Sequence, residues 1–202
     1  MIEEIPTLEH VKLRRPDLYH NWNCLMCNQY SETFNHVWCC SQHRHILHGI
    51  IYRHQKRLVS IVKDFNQGIK QLTHTDLAHP TLWTISYSAT QFTFINLVKG
   101  IIPSFLFDIV NNVIIDPIIT QNILSLFSHH LYVDIMEKIW KPRCEVVLRM
   151  EQFYNINKRT KKKPKPVGVR SLSSHNNRHR IDASNSSFSS DQYGVIHYIR
   201  TG

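Results

Sequence analysis

The chain has 202 residues, 42% hydrophobic and 19% charged, enough apolar matter for one packed domain with a polar tail. Its most apolar stretch, 95–115, is broken by Asn96, Lys99, Gly100, Pro103, Ser104 and Asp108, which excludes a membrane span and predicts a soluble intracellular protein, nuclear or cytoplasmic. The net charge of +9 is unevenly placed: residues 158–202 hold ten Lys or Arg against two Asp, which leaves fourteen basic and thirteen acidic residues in 1–157, so a nearly neutral body carries a cationic arm.

Four segments follow in chain order: a lead-in (1–23), a metal knuckle (24–40), a helical bundle (41–157) and a disordered basic tail (158–202). The lead-in contains Pro6, Pro16, Tyr19 and Trp22, which suits a strap that packs aromatic anchors beside the knuckle, and no regular element is assigned to it. It opens Met1-Ile-Glu-Glu-Ile-Pro6, acidic and without the apolar core of a signal peptide. With an odd count of five cysteines, Cys144 far from the others, this predicts a reduced setting and argues against a disulfide framework.

The knuckle reads Cys24-Leu-Met-Cys27, then His36, then Cys39-Cys40. Zinc prefers four soft or borderline ligands in a tetrahedron, and two Cys separated by two residues can both turn inward from one tight loop. The eight residues after Cys27 allow a turn that brings His36 back over the first two thiolates. The set Cys24, Cys27, His36 and Cys40 is preferred, with Cys39 as competitor for the last place: on a helix, 36 and 40 lie one turn apart on one face, and 39 sits about 100° from 40. His45 and His48 are further candidates to replace a cluster Cys. A set of four protein ligands leaves no position for an activated water, so the zinc is expected to be structural.

From Ser41 to about Phe65, Leu47, Ile50, Ile51, His54, Leu58, Ile61, Val62 and Phe65 recur at three and four residue steps, which predicts a helix, with Gly68 as a stop signal. Residues 72–90 read as a connector with at most a short strand. A second helix is expected over Thr90–Lys99, and a third over Phe105–Val113, capped by Ser104. The longest helix is expected over Ile118–Trp140, with Ile119, Ile123, Leu126, Phe127, Leu131, Ile135 and Ile139 on its buried stripe. Pro142 should end or kink it before the helix resumes through Val147, Leu148 and Phe153. The fold class is therefore mainly α, a small bundle with the knuckle at its front.

The tail begins with six Lys or Arg in eight residues: Lys158, Arg159, Lys161, Lys162, Lys163 and Lys165. Such a run fits a nuclear import signal or an arm that contacts nucleic-acid phosphates without sequence preference. The weak alternation at Tyr193–Arg200 is not assigned as a strand. No deaminase H-x-E pairing and no H-E-x-x-H helix occurs, so no enzymatic reading is carried forward. The helices at 91–115 and 118–140 provide an alternative role, pairing with a helical protein partner or a second copy.

Cys24-Leu-Met-Cys27, Glu32-Thr33 and His36-Val-Trp-Cys-Cys40 together resemble the reverse-transcriptase zinc-binding region at the carboxyl end of non-LTR retrotransposon proteins. The likeness extends more loosely through Pro16-Asp-Leu-Tyr19, Trp22-Asn-Cys24, Leu97-Val-Lys-Gly100 and Ile139-Trp-Lys-Pro-Arg-Cys144, over roughly residues 5–163. It implies zinc on Cys24, Cys27, His36 and Cys40, and a retroelement-derived protein without the parent's enzymes: Tyr132-Val-Asp-Ile135 lacks the second Asp of a polymerase turn. Leu25 stands where relatives often have Pro. A decayed fragment with no selected role is compatible with the same likeness.

Overall fold

In the computed structural model, residues 6–66, 68–86, 88, 90–163 and the pair Val195–Ile196 are described. The chain is mainly α-helical. Two short helices, α1 (Leu8–Arg14) and α2 (Pro16–Tyr19), occupy the lead-in, whose regular structure the sequence leaves open. Thr7 starts the first by accepting the His10 N–H on its hydroxyl, and Pro16 starts the second, where its missing N–H costs nothing.

The knuckle loop leads into α3 (Phe34–Cys39), one 3₁₀ turn (Ser41–His43) and then α4 (Arg44–Phe65), so the helix expected from Ser41 begins three residues later. Most of its apolar stripe is buried: Leu47, Ile50, Ile51, Leu58, Ile61 and Val62 enter the main core, whereas Phe65, at the helix end, is exposed. The connector carries turns and no strand among its described residues.

The next helix, α5, is confined to Phe94–Val98 and stops in a Schellman turn. Gly100, at φ +83°, donates to Leu97 O (2.9 Å), and Ile101 donates to Asn96 O (3.0 Å). Helix α6 spans Ser104–Ile114; Ser104 is its first helical residue and makes no capping bond, because Pro103 already sets the extended entry. Strand β1 (Ile102–Pro103) pairs antiparallel with β2 (Val195–Ile196), giving part of the unassigned C-terminal alternation a two-residue partner.

Helix α7 (Pro117–Ile135) is capped by Asp116, whose Oδ1 accepts from Ile118 N (2.8 Å) and Ile119 N (3.1 Å). It packs along α4 and α6. Ile123, Phe127, Leu131, Ile135 and Ile139 are buried as expected, whereas Leu126 faces outward. The effect of Pro142 falls upstream of the proline. The chain widens into one π turn over Met136–Trp140, where Lys141 N–H bonds to Met136 O, five residues back, and then continues as α8 (Lys141–Phe153). Proline has no N–H for the carbonyl four residues earlier and clashes with it, and the wider turn absorbs both.

The basic tail starts with a further helical turn, α9 (Lys158–Lys162), capped by Asn157, so regular structure extends five residues past the expected boundary. Lys165 and the disorder expected over 164–194 and 197–202 lie outside the described residues. A second, smaller cluster of Leu8, Tyr19, Trp22 and Ile156 joins the two ends of the described body.

Candidate metal centre

The knuckle is built by short-range hydrogen bonds. Cys24 N donates to Tyr30 O (2.8 Å) and Asn28 N to Cys24 O (2.6 Å), which closes the loop between the first two cysteines. Asn28 takes the left-handed conformation at φ 55°, one that Asn tolerates better than most residues. Thr33 then caps α3, its Oγ1 accepting the backbone N–H of His36 itself at 3.1 Å. The cap therefore fixes the helix turn that carries the third ligand. Cys40, at φ −58° and ψ 130°, breaks the helix and turns its side chain back toward the loop.

These elements bring Cys24 Sγ, Cys27 Sγ, a His36 ring nitrogen and Cys40 Sγ within 4.8 Å of one another, close enough to hold a metal ion. Cys24 and Cys40 sulfurs are 3.9 Å apart, and Cys27 Sγ lies 3.4 Å from His36 Nε2. A tetrahedral zinc with ordinary bond lengths separates two sulfurs by about 3.8 Å and a sulfur from an imidazole nitrogen by about 3.5 Å, so the donor set fits that ion. None of the five cysteines is disulfide-bonded.

Backbone amides point at the sulfurs: those of Met26 and Cys27 at Cys24, those of Gln29 and Tyr30 at Cys27, and that of Gln42 at Cys40. Burial nonetheless pushes the Cys24 thiol up to about 12 and raises Cys40. At Cys27 the burial effect is outweighed by the Gln29 and Tyr30 amides, and its thiol is lowered. Burial also lowers His36, which favours the neutral imidazole a metal needs. A cation would supply the positive charge that the buried thiols lack.

Cys39 is not in the group; it packs against the main core. His45 and His48 are exposed on α4 and are also outside the group. His43 is buried and its Nδ1 meets Val37 O at 2.8 Å, tying the knuckle helix to the start of α4. Glu32, noted in the sequence only within the family likeness, anchors the knuckle to the body: Oε1 accepts Leu8 N–H (3.0 Å) and pairs with buried Arg143 of α8. Arg143 in turn sits over the Trp140 ring, 4.7 Å from its centroid. Spacing alone could not reveal this pair, since its partners are remote in sequence.

The basic residues of the arm are not equivalent. Lys158, Arg159, Lys161, Lys162 and Lys163 are all exposed, and of these Lys161 is set apart by its Nζ, bound to Glu151 Oε2 at 2.6 Å. Arg15 Nη1 donates to the carbonyls of Thr160 (2.6 Å) and Lys161 (2.7 Å), satisfying the end of α9, and Tyr19 donates to Glu151 Oε1 (2.6 Å). Compared with known proteins, the chain matches no family model, no curated protein and no solved structure. No helix among the described residues is long and apolar enough to cross a membrane.

Proposed function

We propose that this chain is a non-enzymatic zinc-binding protein, derived from the carboxyl end of a non-LTR retrotransposon reverse transcriptase, that binds nucleic acid through the basic arm starting at Lys158. The observation that carries the metal part is the convergence of three sulfurs and one imidazole within 4.8 Å of one another. Because all four positions come from the protein, the ion's part is to hold the knuckle together and not to activate water. The retroelement origin rests on the sequence likeness.

The nucleic-acid part rests on charge and exposure. Lys158, Arg159, Lys162 and Lys163 project from a segment fixed to the body by Arg15 and Glu151, so phosphate contacts there start from an anchored base. Titration of a labelled oligonucleotide across a salt series tests it. Replacing those four residues by Gln should reduce the slope of log affinity against log salt by roughly three, at 0.7 to 0.9 per lost phosphate contact. Affinity and slope equal to those of the unaltered chain would sink the arm.

One observation favours a second reading, a helical interaction module. Ile118, Leu126, Tyr132 and Val133 are exposed on α7, on the side away from α4. Light scattering over a concentration series should then show mass rising above one chain; a constant monomer mass argues against self-association.

A further inference from the structure

Helix α4 has a charge pattern that a solvated surface helix does not need. Residues 44–65 contain Arg44, Arg53, Lys56, Arg57 and Lys63 against one acid, Asp64, and no Glu at all. Exposed helices ordinarily interleave Glu with Lys or Arg at i, i+4, and here Arg53 and Arg57 stand at that spacing as like charges. The first turn opens with Arg44 and holds no acid and no side-chain cap, so its charge opposes the helix dipole. Among the described residues, the carboxylate that meets this helix is Asp134, at 3.2 Å from Arg53 Nη2 and 3.1 Å from His54 Nε2, both on the flank toward α7.

The face opposite the buried Leu47, Ile50, Leu58 and Ile61 bears His45, Gly49, Tyr52, Lys56 and Lys63. Tyr52 is 58% exposed, and the Lys56 ammonium lies 4.2 Å from its ring centroid. Gly49 lies inside the unbroken helix although nothing crowds it: a Cβ there would meet only Arg53 Nη1, at 4.0 Å. Fold requirements do not explain a glycine in that place, whereas close approach of a ligand backbone does.

We infer that this outward face of α4 is a second nucleic-acid surface, made for a single strand: phosphates against Lys56 and Lys63, a base stacked on Tyr52, and the strand passing close over Gly49. The polyanion relieves the uncompensated charge of the helix, and the exposed ring supplies the stacking platform that the arm lacks. The inference rests on the nucleic-acid reading above for the class of ligand, and differs from it in the surface and in the strandedness.

The test uses the full chain and a fluorescein-labelled oligothymidylate of about 20 nucleotides, with the matching duplex as a second probe. Lys56→Gln with Lys63→Gln should lower the salt slope for the single strand by about 1.4, and Tyr52→Ala should weaken it about tenfold while Tyr52→Phe binds as the parent does. Circular dichroism melts equal to the parent's confirm that these exposed changes leave the fold intact. If the four-residue arm variant loses binding while the Lys56/Lys63 and Tyr52 variants keep it, the α4 inference is overturned and the arm stands. If the α4 variants lose binding and the arm variant keeps it, the inference stands and the arm falls. Tighter binding of the duplex, or unchanged binding of Tyr52→Ala, overturns the single-strand assignment.

Discussion

Arg143 and Glu32 stand 111 positions apart in sequence and meet inside the protein, with side-chain exposures of 5% and 1%. Removing one member of such a pair leaves the other charge without compensation, at a cost of about 3 to 5 kcal/mol. Urea unfolding of Arg143→Ala should show a loss of that size; a change under 1 kcal/mol would mean that the pair does not join knuckle to bundle. His54 gives a second residue-scale prediction. It is buried against Asp134, and burial, the larger influence, lowers its pKa against the opposing pull of that carboxylate. The folded state therefore resists protonation that the unfolded chain accepts near pH 6.5, so the stability contribution is present above that pH and is lost as pH falls through it. Stability measured from pH 8 to 5 should fall less steeply in His54→Gln than in the parent, and parallel curves would contradict this. Neither pairing was legible in the sequence: Asp134 and Arg143 announce no partner until the helices are packed. The ligand residues were legible, because their spacing is local and their chemistry is narrow.

At the scale of elements, periodicity located α4 and α7 because each buries one long apolar stripe, and it left α1 and α2 open because helices of a turn or two have too few residues to show a period. Turn chemistry located the end of α5 at Gly100, while Ser104 failed as a cap because the preceding proline already fixes the entry. The π turn before Pro142 was half legible: the proline signals a break, but not that the helix absorbs it upstream. Two element-scale substitutions should stabilise the protein. Ile115 ends α6 in the left-handed region at φ 60°, a costly conformation for a β-branched residue, and it is 82% exposed. Ile115→Gly should gain about 1 kcal/mol. Gly49→Ala should gain roughly 0.5 to 1 kcal/mol in the free protein. Thermal melts check both, and a lower melting temperature in either would contradict the backbone argument at that site.

At the scale of the molecule, the knuckle is a clasp between two hydrophobic clusters. Glu32 joins it to α1 and α8, His43 joins it to α4, and the Leu8, Tyr19, Trp22 and Ile156 cluster connects the lead-in to the foot of α9. If an ion holds Cys24, Cys27, His36 and Cys40, removing it should loosen that whole end and spare the α4 and α7 core. Hydrogen exchange with a strong chelator should thus speed amides at 8–40 and 156–163 at least tenfold while those of 123–135 stay protected; uniform acceleration would show that the two clusters unfold as one. The most direct measurement is the zinc content of the purified chain by native mass spectrometry, beside Cys40→Ser and Cys39→Ser. One zinc per chain, lost with Cys40→Ser and retained with Cys39→Ser, is the predicted result; a metal-free parent chain, or zinc that survives Cys40→Ser and disappears with Cys39→Ser, would contradict it.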